Sequence, residues 1–184
     1  MVCNGFKGGI GTASRQFDAL GQQFTVGVLV QCNYNWSGDD LSLGGRSMEG
    51  LLPVGEHCFT DRAIGRHVNW YPFCDLSPSE IAQAGRDGSI SVVVATDAPL
   101  LPHQLRRGAK RPSLGLGRLG AISGDGSGDI FVAFSTANPG AIDENDSSRV
   151  VMYPNNGLST VFLATVQATE EAIVNAMVAA DTMI

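Results

Sequence analysis

Residues 24–31, reading FTVGVLVQ, form a nearly unbroken run of β-branched and apolar side chains, and this run constrains the fold more than any other feature. Branched side chains lose rotamer freedom in a helix and fit a pleated surface. The lack of polar alternation is the pattern of a strand covered on both faces. A second run, SISVVVAT at 89–96, has the same character and starts directly after Asp87-Gly88, a pair that favours a turn. A serine therefore heads a buried strand. IFVAFS at 130–135 and LSTVFLATVQ at 158–167 supply two further expected strands.

Helical signals lie between and after these runs. Ser77 caps a short helix with Pro78 at its first position, running to about Ala84 and stopped by Gly85. Residues 101–119 have helix-forming content, but Pro112 removes an internal hydrogen bond, which predicts a kink or two short helices. Residues 169–183 open on Thr169 as cap with Glu170 and Glu171 in the first turn, and place Ile173, Ala176, Met177 and Ala180 at helical spacing. Residues 36–87 are broken by Gly44-Gly45, Pro53, Pro72 and Pro78 and read as a long irregular excursion. Strands and helices are mixed, so the expected architecture is a layered α/β or α+β fold. At 184 residues and 43% hydrophobic content, one domain can bury a core.

Composition narrows the function. A net charge of −6 arises from only 16% charged residues, and the largest basic group is Arg106, Arg107, Lys110 and Arg111. That argues against nucleic acid, whose phosphates need a basic surface. Cys3, Cys32, Cys58 and Cys74 form no C-x-x-C pair and read as buried thiols. His57, His67 and His103 lack the i, i+4 spacing of a helical metal site, so no metal or other cofactor is expected. No run reaches the roughly 18 apolar residues of a membrane span, and the first residues lack the order of a signal peptide, which sets the expectation of a cytoplasmic protein away from membranes.

Glycine is abundant, at 23 residues, and clustered. Gly5, Gly8, Gly9 and Gly11 predict a tight loop between residues 5 and 12. Lys7 comes too early for a phosphate-binding P-loop and Ser14 occupies the third glycine of a dinucleotide fingerprint. The loop's N–H groups remain free to line a site. Gly126-Ser127-Gly128 does not complete a G-x-S-x-G elbow, so a Ser-His-acid triad finds no support. A nucleophile at a new N-terminus dispenses with histidine, because its own α-amine titrates near 7.7–8.0 and serves as base. Asp87-Gly88-Ser89 has the parts for making one: a flexible residue before the bond, a hydroxyl after it and a strand to hold that hydroxyl.

Five segments taken in order, GFKGGIGTASR from Gly5, TVGVLVQ from Thr25, DGSISVVVATDAPLLPHQL from Asp87, SGDIFVAFSTAN from Ser127 and ATEEAIVNAM from Ala168, span nearly the whole chain. Together they resemble the DmpA-type L-aminopeptidase/D-esterase-amidase family, which includes the β-peptidyl aminopeptidases. The resemblance implies a four-layer αββα sandwich shared with ornithine acetyltransferases, here incomplete. It implies one catalytic domain, 1–184, that cuts itself between Gly88 and Ser89 into parts 1–88 and 89–184 that stay associated, in a homo-oligomer.

On the same footing Ser89 is the nucleophile and Ser127 the second active-site serine, which bonds the nucleophile's amine or hydroxyl. Asp129 stands where the family carries an acid that orients the network and receives the substrate's amine. Asn33 matches the asparagine that stabilises the oxyanion, with Asn35 close by. On residue type alone, Ser127 reads as a turn cap and Asp129 as a solvated loop acid. The implied activity is hydrolysis of N-terminal residues from short peptides, amides or esters through an acyl-enzyme on Ser89. The alternatives are an acyltransferase of the ornithine acetyltransferase kind, for which threonine is expected in place of Ser89, and an inactive fragment or interaction subunit. The family continues beyond both ends of this chain, and a tyrosine that assists catalysis in relatives lies in the part before residue 1, so the chain reads as truncated.

Overall fold

The computed structural model describes residues 1–35, 40–52, 59–61, 66–68, 88–141 and 149–181. The expected helix at 77–84, together with His57, Cys58 and Cys74, lies outside these residues. The described residues form ten strands and three α-helices: β1 Val2–Cys3, β2 Phe6–Lys7, β3 Ile10–Ala19, β4 Gln22–Asn33, β5 Ser42–Leu43, β6 Arg46–Ser47, β7 Phe59–Asp61, β8 Arg66–Val68, β9 Ser89–Thr96, α1 Pro102–Gly108, α2 Pro112–Arg118, β10 Ile130–Ser135 and α3 Leu158–Val178.

The central sheet has the order β10-β9-β4-β3, with β10 parallel to β9 and the other pairs antiparallel. Both apolar runs thus lie at its centre. β4 is buried on one face only: Phe24, Val26, Val28, Val30 and Cys32 point into the core, while Leu29 between them is 41% exposed. The expectation of a strand covered on both faces is corrected accordingly among the described residues. Helix α3 lies against β3 and β4 and supplies the cover on the buried face. Each fully buried valine or isoleucine in that layer contributes about 1.5–3 kcal/mol of transfer free energy.

Residues 158–167 are helical, where a strand was expected, and form the first half of α3. Their buried positions explain why: Leu158, Val161, Ala164, Thr165, Ala168, Thr169, Ala172, Ile173 and Ala176 recur every three or four residues, the period of a helix face. Thr169 lies mid-helix and caps nothing. Its hydroxyl and that of Thr165 donate to the carbonyls four residues back, at 2.7 and 2.8 Å, which satisfies both groups in an apolar layer. By length and hydropathy α3 is apolar enough to cross a membrane, at a mean hydropathy of 1.2. Here it is the core helix of a sheet.

The glycine-rich opening is more ordered than a loop. β1 and β2 form a small hairpin turning at Asn4-Gly5, both with positive φ, and Gly11 already belongs to β3. A Cβ on Gly11 would lie 2.5 Å from the Ala176 nitrogen, so its bare α-carbon is what lets α3 seat on β3. Pro112 separates α1 from α2 as expected, and α2 packs on α3 where Gly115 meets Thr169. Cys3 and Cys32 are disulfide-bonded, with Cα atoms 5.5 Å apart, which corrects their reading as thiols.

Candidate active site

Chain topology brings three remote segments to one end of the sheet. The β4–β9 register sets Asn33, the last residue of β4, opposite Ser89, the first of β9. Because β10 pairs with β9 in parallel from Ile130↔Ser91, the loop entering β10 delivers residues 127–129 beside residues 88–90. Gly88 lies flat on the end of β4: a Cβ there would stand 2.5 Å from Tyr34 Cα and 2.6 Å from the Asn33 carbonyl oxygen. No other residue type fits that approach.

Hydrogen bonds around the Gly88–Ser89 peptide converge on the Gly88 carbonyl oxygen and the Ser89 hydroxyl. Ser127 Oγ donates to the Gly88 carbonyl oxygen at 3.0 Å. The Gly128 N–H donates to Ser89 Oγ at 2.9 Å. One contact polarises the acyl carbon and the other orients the adjacent hydroxyl. Asp129 holds the frame: Oδ1 accepts the Ile90 N–H at 3.1 Å and Oδ2 accepts the Ser123 hydroxyl at 3.1 Å. Its carboxylate thereby ties the strand headed by Ser89 to the loop that carries Ser127.

Asn33 makes a different contact. Its Oδ1 accepts the Val2 N–H at 3.1 Å, and the Gly88 carbonyl is held by Ser127. A backbone N–H can only donate, so Oδ1 faces Val2 and Nδ2 remains the donor end of the amide. Asn35 is buried, with Nδ2 donating to Asn4 Oδ1 at 3.1 Å, and Asn4 Nδ2 in turn donates to the Tyr34 hydroxyl at 3.2 Å.

A cavity of about 160 Å³ opens beside the Gly88–Ser89 peptide, with Tyr34, Asn35, Gly88, Ser123, Ser127 and Asp129 among its walls. Burial pushes the Tyr34 hydroxyl up to about 12; the Asn4 hydrogen bond pulls against this and the Asp129 charge adds to it. Ser89, Ser127, Asp129 and Gly88 are thus one constellation, with Asn33 adjoining it in register. The sequence reading missed Tyr34, Ser123 and the Gly128 N–H. Tyr34 follows Asn33 directly and its position at the strand's exit was the available signal; a backbone donor and a serine six residues before its partner leave none.

The Peptidase family S58 profile matches residues 1–184. The β-peptidyl aminopeptidase BapA of Sphingosinicella microcystinivorans is 47% identical over 191 aligned positions, covering 100% of this chain and 44% of the relative. Among solved structures, the L-aminopeptidase D-Ala-esterase/amidase of Ochrobactrum anthropi, described as a prototype for the serine aminopeptidases and a variant of the Ntn hydrolase fold, superposes with a TM-score of 0.72 at 43% identity, covering 100% of this chain and 43% of that one. A Burkholderia sp. β-aminopeptidase superposes with a TM-score of 0.71 at 40% identity, over 96% of this chain and 43% of its own. The chain spans less than half the length of each of these relatives.

Proposed function

The chain belongs to peptidase family S58, and from that premise we propose that it is a self-processing serine aminopeptidase whose nucleophile is Ser89. The observation that carries this reading is the pair of hydrogen bonds from Ser127 to the Gly88 carbonyl and from Gly128 to Ser89 Oγ. They support this reading because they fall on the carbonyl and the hydroxyl that flank one peptide bond.

The chemistry follows from the placement. Ser89 Oγ adds to the Gly88 carbonyl carbon while Ser127 donates to the developing oxyanion. The C–N bond breaks, the hydroxyl's proton passes to the departing nitrogen, and Gly88 is left as an ester on Ser89. Water hydrolyses the ester, giving a Gly88 carboxylate and a Ser89 that carries both hydroxyl and α-amine. That amine, near its neutral form at working pH, then takes the hydroxyl's proton when a substrate carbonyl occupies the place vacated by Gly88. The substrate's N-terminal residue enters the cavity beside Asp129, whose charge suits a free ammonium. Short peptides, amides and esters with a free amine are the expected substrates, and a donor such as Asn33 Nδ2 contributes about 3 kcal/mol to the transition state.

The test is intact-mass and gel analysis of the purified protein beside Ser89→Ala. Two fragments, one ending at Gly88 and one starting at Ser89, are expected in the first and an uncut chain in the second. Fragments in both preparations would remove Ser89 from the reaction.

A further inference from the structure

The first five residues hold the end of β4 and the two residues after it through a disulfide, backbone hydrogen bonds and side chains. Cys3 is bonded to Cys32 and bridges Tyr34 in parallel register. The Asn4 N–H donates to the Tyr34 carbonyl at 3.0 Å and the Gly5 N–H to the Asn35 carbonyl at 2.8 Å. Side chains repeat the pattern: Asn4, fully buried with φ +49°, accepts from Asn35 and donates to Tyr34, while the Val2 N–H fixes the Asn33 amide. Gly8 closes the clamp by donating to the Met1 carbonyl at 2.9 Å. A Cβ on Gly8 would lie 2.7 Å from the Cys32 carbonyl oxygen, so this segment lies flat on the strand it holds.

This density of contacts falls on the three residues that leave β4 toward the scissile peptide. β3 pairs β4 over Gln22–Gln31 and β9 pairs it over Val26–Asn33, so Tyr34 and Asn35 lie beyond both ladders and are held by this segment. The Val2 contact adds something pairing does not: it decides which end of the Asn33 amide remains free to donate.

We propose that the segment Val2–Cys3, locked by the Cys3–Cys32 disulfide, is a positioning device for the Asn33 amide, and that opening the disulfide lowers turnover without weakening substrate binding. The inference rests on the serine aminopeptidase reading above. A freed Val2 no longer anchors Oδ1, the amide rotates between its two orientations, and the fraction of molecules presenting a donor to the oxyanion falls. An oxyanion donor acts in the transition state, so the loss is in kcat.

The experiment first maps disulfides in the native chain by mass, then compares processing and turnover of an aminoacyl nitroanilide before and after a phosphine reductant. Two variants accompany it: Cys3→Ser, which opens the disulfide, and Val2→Pro, which keeps the disulfide but deletes the N–H. We expect a linked Cys3–Cys32 peptide, and a kcat lowered about tenfold or more by reduction and by each variant, with KM within about twofold, the separation expected when a transition-state donor is mis-set. Tm is expected to fall for Cys3→Ser more than for Val2→Pro; kcat losses that tracked Tm would mark the clamp as merely structural. Free thiols at Cys3 and Cys32, or full kcat after complete reduction, would overturn the proposal and leave the function standing. A native chain that neither processes nor turns over would overturn both.

Discussion

Tyr34 is where the site's electrostatics can be read from outside. Its hydroxyl titrates near 12 in the folded chain against 10 in the free side chain, so between those values the unfolded state releases a proton that the native state keeps. Protons bound by the native state and lost by the unfolded one mean that stability falls as pH rises. The Tyr34 contribution is therefore intact below about pH 10 and is lost progressively toward pH 12, by roughly 2–3 kcal/mol for a two-unit shift. Tyr34→Phe cannot ionise, and leaves Asn4 Nδ2 with the weak Met177 sulfur as acceptor in place of the hydroxyl, at a cost of about 1 kcal/mol. Urea midpoints at pH 9 and pH 11 should therefore show the wild type falling more steeply than the variant; parallel declines would mean that the native state does not hold this proton. A single buried phenol thus reports on the packing of the β4 exit, on Asn4 and on Asp129 together.

At the scale of elements, glycines mark where packing leaves no choice. Gly11→Ala drives a methyl into the backbone of α3 at Ala172 and Ala176 and should cost about 3 kcal/mol or more, since neither partner is a side chain that can turn away. Gly27→Ala in the next strand meets nothing within 4 Å and should be neutral or stabilising by about 0.5 kcal/mol. Denaturant unfolding of the two variants distinguishes them, and similar losses in both would sink the close-approach account. The central strands were legible because β-branched runs at 24–31 and 89–96 have one plausible fate, and Pro112 announced its break between helices. Residues 158–167 were not, because a small-residue helix face buried against a sheet carries the same valines and threonines as a strand, and only the hydroxyl bonds of Thr165 and Thr169 show how the helix tolerates them. The site divides in the same way: Ser89, Ser127 and Asp129 stand in legible motifs, whereas the Gly128 N–H and the cysteine pairing depend on a register that no local pattern encodes.

For the molecule as a whole, the telling feature is that, among the described residues, helices pack on one face of the central sheet and the other face exposes apolar side chains. Helix α3 covers the first against β3 and β4, with α1 beside β10 and α2 packed on α3, and the opposite face carries Ile130, Val132 and Phe134 of β10 at 58, 49 and 46% exposure, with Ile10 at 61% and Leu29 at 41%. The described residues thus hold one β layer and one α layer of the αββα class, and the second sheet of that class is the natural cover for such a face. An apolar sheet surface left open in water associates with any like surface it meets. The 184-residue chain by itself is accordingly expected to self-associate with rising concentration. Val132→Thr with Phe134→Thr should shift it toward the monomer, because the pair alters the open face while Phe131 and Ala133 still pack on the core. Light scattering across a dilution series measures both. If the wild-type chain stays monomeric throughout, some of its own residues must cover this face. If the double variant associates as strongly as the wild type, the contact lies elsewhere, and the parallel edge of β10 becomes the surface to test.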